Sequence, residues 1–459
     1  MHVLTSRLMV VVLSLVLVGV INSLQAEETR PPNIIWIMPD DLGYGDVGYL
    51  GQKQVKTPHI DRLASEGMRL DSFYAGNTVC RPSRLVLWTG LHSGHTAINS
   101  NRPYVFSDTD VTVASRLKEA GYTTGGVGKW AMGNPGTGGE PIHHGFDFWY
   151  GYLDQSEAHN FYPTHLYRCA DGEVNQEELP GNVLLDDPKA RGRVAKPEHR
   201  DTYSHDLLTE EALGFIRDNH EKPFALHVHW TIPHTNNEGG RVLGDGMEVP
   251  DYGQYKDQDW PNTEKGFAAM VSRMDGDVGR IIDLLKELKI EQNTLVIFTS
   301  DNGPHNEGGH KHTFFNSNGP LRGFKRDVYE GGIRVPTIAY WPGTIQPGTK
   351  SDTPFTFYDY MATACDLTGA KIPEKTDGIS FLPTLLGKSE QQTAREAIYS
   401  SYEKKQAVRM GQWKGVRLAP NRLIELYDLS TDIGEEDDVA EDHPEIVRRI
   451  AQEMEKVTR

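Results

Sequence analysis

The chain has 459 residues, of which 37% are hydrophobic and 24% are charged, and its formal net charge at pH 7 is −17. This composition is typical of a globular protein, which excludes a fibrous or intrinsically disordered chain. The length predicts one large hydrophobic core and a smaller second one, and the acidic surface argues against nucleic acid as a partner.

The N-terminus has the three-part pattern of a secretory signal. Arg7 precedes the apolar residues 8–20, and the mostly polar residues 22–25 lead to Ala26, after which we expect cleavage. An uncleaved membrane anchor is the alternative, but the apolar stretch is shorter than the roughly 20 residues that a spanning helix needs. We therefore expect a secreted or periplasmic protein with no membrane span after cleavage.

Four apolar segments of strand length are each followed by polar side chains. The pairs are residues 33–38 with Asp40 and Asp41, 122–127 with Lys129, 224–230 with His234, and 295–299 with Asp301 and Asn302. Helical patterns lie between them, at Pro58–Glu66, 111–120, Ser204–Asn219 and 263–288. The alternation predicts an α/β fold with a large, mostly parallel mixed sheet flanked by helices. Because ligands bind beyond the carboxyl ends of such strands, we expect the polar residues to share one site.

The segments after about Gly387 are shorter than those before it. They comprise residues 397–402, 407–416 and 424–429 and a helical pattern at 444–457, which predict a small antiparallel sheet with one helix. Residues 171–200 and 239–260 are rich in glycine, proline and charge without a clear period, so we expect long surface loops there. The predicted organisation is a signal at 1–26, a main domain at 30–387 and a C-terminal domain at 388–459.

The three cysteines are too few for a disulfide scaffold. A bridge between Cys169 and Cys365 would leave Cys80 over, and whether those two residues pair stays open. The stretch from Cys80 to Gly90 reads Cys-Arg-Pro-Ser-Arg-Leu-Val-Leu-Trp-Thr-Gly. It resembles the signature of the sulfatase family, C-x-P-S-R followed by T-G.

This resemblance implies that Cys80 is oxidised during export to formylglycine, an aldehyde whose hydrate is the nucleophile. A formylglycine-generating or equivalent maturation enzyme is the implied partner, and an alkaline phosphatase-like fold is the implied architecture. The resemblance extends from about residue 32 to 343, and then weakly through residues 426–429. The residues themselves place Cys80 at the start of a helix, because Pro82 suits a first helical turn. The positive end of the helix dipole favours a developing anion there.

Asp40, Asp41, Asp301 and Asn302 offer carboxylate and amide oxygens from two predicted strand ends. Such an all-oxygen set suits a hard divalent cation, with Ca²⁺ as the first choice and Mg²⁺ as the second. Without a cation these carboxylates would repel one another. The segments around them resemble the metal-binding motifs of sulfatases, and the resemblance implies that oxidised Cys80 binds the same cation. A plain turn is the alternative for either motif alone.

An ester sulfate needs positive groups on its oxygens. Arg84, Lys129, His234 and Lys325 lie in segments that resemble those of sulfatases, which implies this role for them. A solvated surface position is the alternative for each lysine, and a loop position for His234.

One departure from the family stands at residues 128–133, where the pattern G-K-W-H-x-G reads Gly-Lys-Trp-Ala-Met-Gly. Ala131 therefore replaces a histidine that, in the family, helps to release sulfate from the covalent intermediate. His95, His143 and His144 are the candidate replacements.

These features predict the hydrolysis of sulfate esters, with fragments of sulfated polysaccharide as the expected substrate in preference to small aryl sulfates. A phosphoesterase of the same superfamily and a non-catalytic binder of sulfated glycans are the alternatives, the second motivated by Ala131. Candidate saccharide contacts in the loops around the site are His159, His165, His229 and Trp149.

Overall fold

The computed structural model describes residues 30–457, so the predicted signal at 1–26 lies outside the described residues. The strands are β1 (Asn33–Ile37), β2 (Met68–Leu70), β3 (Phe73–Tyr74), β4 (Thr123–Lys129), β5 (Phe148–Tyr152), β6 (His165–Ala170), β7 (Glu173–Glu178), β8 (Phe224–His229), β9 (Thr294–Phe298), β10 (Ile338–Tyr340), β11 (Thr349–Ser351), β12 (Phe355–Thr356), β13 (Ile398–Tyr402), β14 (Lys405–Met410), β15 (Trp413–Arg417) and β16 (Glu425–Asp428). The helices are α1 (Pro58–Glu66), α2 (Cys80–Thr89), α3 (Val113–Glu119), α4 (Ser204–Asn219), α5 (Asn237–Leu243), α6 (Asn262–Glu287), α7 (Glu330–Ile333), α8 (Asp359–Thr368), α9 (Leu382–Leu385) and α10 (Pro444–Lys456).

Ten strands form the main sheet, in the order β11, β2, β10, β9, β1, β8, β4, β5, β6 and β7. The central strands β9, β1, β8, β4 and β5 run parallel, and antiparallel pairs occur towards both edges. Ile37 pairs with Val228 on one side and with Phe298 on the other, so three strands end at the same level of the sheet. The predicted mostly parallel mixed sheet is thereby confirmed.

Helices cover both faces of this sheet, which explains why its central strands are apolar without interruption. Alternate residues of β1 enter opposite cores, with Ile35 on one side and Trp36 on the other. The first core also contains side chains from α1, α4 and α6, and the second contains side chains from α2, α3 and α8. Each residue of β1, β8 and β9 is therefore buried.

The C-terminal part forms a four-stranded antiparallel sheet of β13, β14, β15 and β16, against which α10 packs. Ile450 and Met454 of the helix join Val408 and Leu426 of the sheet in one apolar cluster. The prediction of one segment at 407–416 is wrong, because a turn at Gly411, with φ of +60°, divides it into β14 and β15. Apolar residues flank this turn closely, so their pattern alone does not reveal it.

Regular structure also occurs inside the two predicted loops. Residues 171–200 contain β7, which pairs antiparallel with β6. This edge strand is polar and mostly exposed, so it lacks the apolar alternation that would have predicted it. Helix α5 extends into residues 239–260, and its N-terminus is capped by the Asn236 side chain, which accepts a hydrogen bond from the Gly239 N–H.

A buried cluster of charges ties the small sheet to helix α7. Lys414 of β15 lies 2.8 Å from Glu330 of α7 and 3.0 Å from Glu435. Arg334 contacts the second oxygen of Glu330 at 3.1 Å. The buried Lys414 ammonium is thus shared by one carboxylate from α7 and one from the C-terminal part.

All three cysteines are buried and free, with Cys169 in β6 and Cys365 in α8, so the bridge between these two does not form. Within residues 30–457, no helix has both the length and the apolar character that a membrane crossing requires.

Candidate active site

The turn after β1 carries Asp40 and Asp41 to the carboxyl edge of the sheet. Asp41 has φ of +67°, in the left-handed region that aspartate adopts more readily than most residues. Gly43 comes next at a point where a Cβ atom would lie 2.2 Å from the Ser317 carbonyl oxygen, so only glycine fits this close approach. Asp46 then accepts a hydrogen bond from the Gly43 N–H at 2.7 Å and holds the turn in place.

Cys80 is the first residue of α2, as predicted from Pro82. Its side chain is buried, and its thiol donates to Asp40 Oδ1 over 3.2 Å. Burial, reinforced by the negative charge of Asp40, raises the pKa of the thiol. The unmodified Cys80 is therefore a neutral thiol and a poor nucleophile.

Arg84, one turn further along α2, joins one carboxylate from each of the two strand ends. Its Nη2 lies 2.7 Å from Asp301 Oδ2 and 3.3 Å from Asp40 Oδ2. Its Nη1 donates to the backbone carbonyl of Lys129. Lys129, at the end of β4, places Nζ 2.6 Å from Asp40 Oδ2. Two buried cations therefore converge on the carboxylate that accepts from Cys80.

Lys325 and His234 occupy the opposite side, against Asp41. Lys325 Nζ lies 2.7 Å from Asp41 Oδ2 and 3.0 Å from His234 Nε2. The other ring nitrogen of His234, Nδ1, is 2.6 Å from the Thr235 carbonyl oxygen, which only accepts, so Nδ1 carries the proton. Nε2 is then free to accept a hydrogen bond from the Lys325 ammonium.

The charges of the site give the carboxyl groups of Asp40 and Asp301 very different pKa values. Burial alone would raise the pKa of Asp40, but Lys129 and the neighbouring cations hold it well below its usual value. Burial, followed by the negative charge of Asp40, raises the pKa of Asp301 to about 7. Burial, helped by the charge of Lys325, lowers the pKa of His234 to about 3, so this ring is neutral at pH 7.

The donor set fits a hard cation. Asn302 donates through Nδ2 to Asp41 Oδ1 at 2.7 Å, but its own Oδ1 is buried and has no hydrogen-bond partner among the described residues. A buried amide oxygen without a partner is costly, and a cation would satisfy it. Ligand atoms of Asp40, Asp41, Cys80 and His234 also lie within 4.8 Å of one another. The carboxylate and amide oxygens suit Ca²⁺ or Mg²⁺.

The structure thus brings every predicted catalytic and metal-binding position into one hydrogen-bonded network. Three of the four predicted saccharide contacts belong to strands rather than to loops, and His165 is the first residue of β6. Trp149 belongs to β5 and His229 to β8, and both are buried in the core rather than in loops. His229 stacks on Trp88 and contacts Arg84 Nη1 at 3.1 Å, so it supports the site from beneath.

The candidate replacements for the histidine missing at Ala131 have other partners. His95 pairs with Asp377 at 2.9 Å. His144 packs against Phe106, and its Nε2 lies 3.1 Å from the Gly138 carbonyl oxygen. His143 is exposed.

Two residues at the site carried no motif in the sequence. Glu307 lies 3.6 Å from Lys325 and 2.5 Å from Arg326, so it contacts both side chains from a loop beyond β9. His159 stacks on His234 with ring centroids 4.1 Å apart. From the sequence, His159 is predicted only as a saccharide contact, because its contact with His234 arises from the fold alone.

The topology and the site define an alkaline phosphatase-like hydrolase. The Sulfatase family model matches residues 32–370, and the model described as "N-sulphoglucosamine sulphohydrolase, C-terminal" matches residues 322–459. The chain belongs to the sulfatase family, and it is an enzyme that hydrolyses sulfate esters.

Individual relatives agree with this assignment. The chain is 32% identical over 427 residues to the N-acetylgalactosamine-6-sulfatase of Mus musculus, covering 87% of this chain and 74% of that protein. It is 30% identical over 503 residues to the N-acetylgalactosamine-6-O-sulfatase of Bacteroides thetaiotaomicron, covering 94% of each. A solved structure of Ps i-CgsB with k-i-k-neocarrahexaose superposes with a TM-score of 0.77 at 28% identity, covering 93% of this chain and 92% of that one.

Proposed function

We propose that this enzyme removes sulfate from sulfated carbohydrates through a formylglycine made from Cys80 and a bound divalent cation. The observation that carries the proposal is the position of residue 80. It lies at a helix N-terminus, in contact with Asp40, where three strand-end carboxylates and three buried cationic side chains meet. An anionic ester can be neutralised there although the chain as a whole is acidic.

Asp40, Asp41, Asp301 and Asn302 would hold the cation together with modified residue 80, with Ca²⁺ preferred to Mg²⁺. When present, the cation and the hydrated aldehyde supply charge neutralisation and a nucleophilic oxygen. The remaining chemistry belongs to the unmodified side chains.

Lys129 and Arg84 contribute positive charge on the nucleophile side. Arg84 also fixes the direction of Asp40 and Asp301, since it donates to both. The two side chains bind the sulfate oxygens and stabilise the negative charge that develops on those oxygens.

Lys325 contributes a proton on the opposite side, where the leaving oxygen would depart. It is buried, and although burial lowers its pKa, Asp41 more than offsets this, so the pKa lies well above the ordinary value. Its ammonium donates to neutral His234, which keeps Nζ directed into the site. A charged, oriented ammonium can protonate a departing sugar oxygen.

We infer that the substrate is a saccharide sulfate, with 6-sulfated N-acetylgalactosamine as the first candidate. The support comes from the names of the relatives above and from the solved complex with a carrageenan oligosaccharide. Small aryl sulfates lack the sugar hydroxyls that loops around the site could bind.

Turnover of defined esters tests the proposal. The protein is co-expressed with a formylglycine-generating enzyme and assayed with N-acetylgalactosamine 6-sulfate, its 4-sulfate isomer, an aryl sulfate and the matching aryl phosphate. We expect fastest release from the 6-sulfate and little from the phosphate. Faster hydrolysis of the phosphate would favour the phosphoesterase alternative.

The nucleophile is tested separately. Cys80→Ser should abolish turnover, and mass spectrometry of the peptide containing residue 80 should show an aldehyde in the wild type. An unmodified thiol in fully active protein would refute the role of formylglycine. Export after cleavage at Ala26 and maturation by that enzyme belong to the same proposal, and N-terminal sequencing of the mature protein tests the cleavage site.

A further inference from the structure

The departure at Ala131 removes a ring nitrogen from the site. Ala131 is buried, with φ of +67°, and its carbonyl oxygen accepts from Arg81 Nε. Its N–H donates to the carbonyl of Leu153, and the Trp130 N–H donates to that of Tyr152. The segment after Lys129 is therefore bound to the chain that leaves β5.

That same chain brings a different histidine to the site. It continues from Leu153 through a short 3-10 turn, Glu157–His159, and its last ring stacks on His234 with an interplanar angle of 20°. His234 in turn contacts Lys325 and Asp41. The His159 ring thus contacts His234 directly, and through His234 it is linked to Lys325 and Asp41, although it is distant from Ala131 in the sequence.

One nitrogen of this ring has no partner. His159 Nε2 is closed to solvent and makes no hydrogen bond among residues 30–457. A buried nitrogen of this kind requires a partner, which a bound water or a ligand can supply. The Cys80 side chain is also closed to solvent. Burial of His159 Nε2 is therefore compatible with a position at the reacting groups.

The electrostatic surroundings of His159 match those of Cys80. Burial, then the charges of His234 and Lys129, hold the pKa of His159 well below its usual value, and Asp40 and Lys325 also act on it. Asp40, Lys129 and Lys325 act on Cys80 as well. The ring is therefore neutral, and it lies among three of the charged side chains that surround Cys80.

We propose that His159 is a further catalytic residue of this enzyme, which donates a hydrogen bond from Nε2 to the ester sulfate and so replaces the histidine absent at position 131. This inference rests on the proposed sulfate ester substrate. A neutral imidazole N–H can orient the sulfate group without adding another charge to a site that already holds Lys129 and Lys325.

Three substitutions separate this role from packing. His159→Phe keeps a ring against His234 but has no nitrogen, His159→Gln keeps an N–H donor without the ring, and His159→Ala keeps neither. For N-acetylgalactosamine 6-sulfate we expect kcat/KM to fall about 100-fold or more in the Ala and Phe variants. The Gln variant should retain at least ten times the activity of the Ala variant. The exposed His199→Ala is the matched control and should equal the wild type.

A binding measurement gives a readout that needs no formylglycine. In the Cys80→Ala background, calorimetric titration with N-acetylgalactosamine 6-sulfate should show about tenfold weaker binding after His159→Ala. Provided that the wild type is active, the inference would be overturned if the Ala or Phe variant kept a kcat/KM within threefold of the wild-type value. It would also be overturned if the Gln and Ala variants lost kcat/KM equally, or if His159→Ala left the binding affinity unchanged. An inactive wild type that carries the aldehyde would instead count against the proposed function.

Discussion

The carboxyl group of Asp46 should make this enzyme less stable as pH rises, and the substitution Asp46→Asn should remove that dependence. Asp46 is fully buried, and its Oδ2 accepts a hydrogen bond from the Gly43 N–H. Burial raises its pKa from 3.8 to about 7. The folded state therefore prefers the neutral acid, and the unfolded chain prefers the carboxylate.

The size of this effect is set by the difference between the two pKa values. A folded-state pKa above the unfolded value gives stability that is complete below pH 3.8 and is lost as pH rises towards 7. The loss amounts to about 4 kcal/mol in free energy of unfolding, at 1.36 kcal/mol for each pH unit. Asp46→Asn keeps an acceptor for Gly43 and cannot ionise, so it should escape the loss.

The measurement is the urea midpoint of both proteins from pH 5 to pH 8. Relative to the wild type, Asp46→Asn should gain stability steadily up to pH 7 and then remain level. Asp108→Asn, which changes an exposed carboxylate, should follow the wild type throughout. Parallel profiles for Asp46→Asn and the wild type would refute the reasoning, because they would mean that Asp46 is ionised in the folded state.

Three further outcomes are expected. Lys414→Met should lower the free energy of unfolding by about 3 to 5 kcal/mol, because the buried carboxylates of Glu330 and Glu435 lose their shared cation; an unchanged urea midpoint would contradict this. Lys129→Ala should lower kcat/KM for the sulfate ester by about 100-fold or more, whereas the exposed Lys118→Ala should not change it, and equal activity in both would exclude a catalytic role for Lys129. Chelation should abolish turnover, and Ca²⁺ should restore more of it than Mg²⁺; full activity in excess chelator would rule out the cation.

Much of the fold could be predicted because its strongest signals are local. A central strand covered on both faces must be apolar at every position, and β1, β8 and β9 have that character. Helices α1 and α4 begin and end at the predicted residues. The edge strand β7 could not be predicted in this way, since a solvated edge imposes no pattern on its side chains.

The site also contains residues that the sequence predicts and residues that it does not. Its motifs place a carboxylate, lysine or histidine at or just beyond the end of a strand. Parallel strands bring their carboxyl ends to one edge of the sheet, so Asp40, Lys129, His234 and Asp301 could be foreseen together. His229 is also a histidine near the end of β8, but its side chain is buried in the core. The direction in which a strand side chain points depends on the register of the strand.

The sequence by itself determined the class of chemistry, since the Cys80 signature, the paired acidic motifs and the cations are each readable within a few residues. Only the tertiary structure decided how these groups act on one another. Contacts such as Lys325 with His234, or His159 stacked on that ring, join segments far apart in the chain. Burial and the neighbouring charges then set the charge of each group, and both are properties of the packed fold rather than of the local sequence.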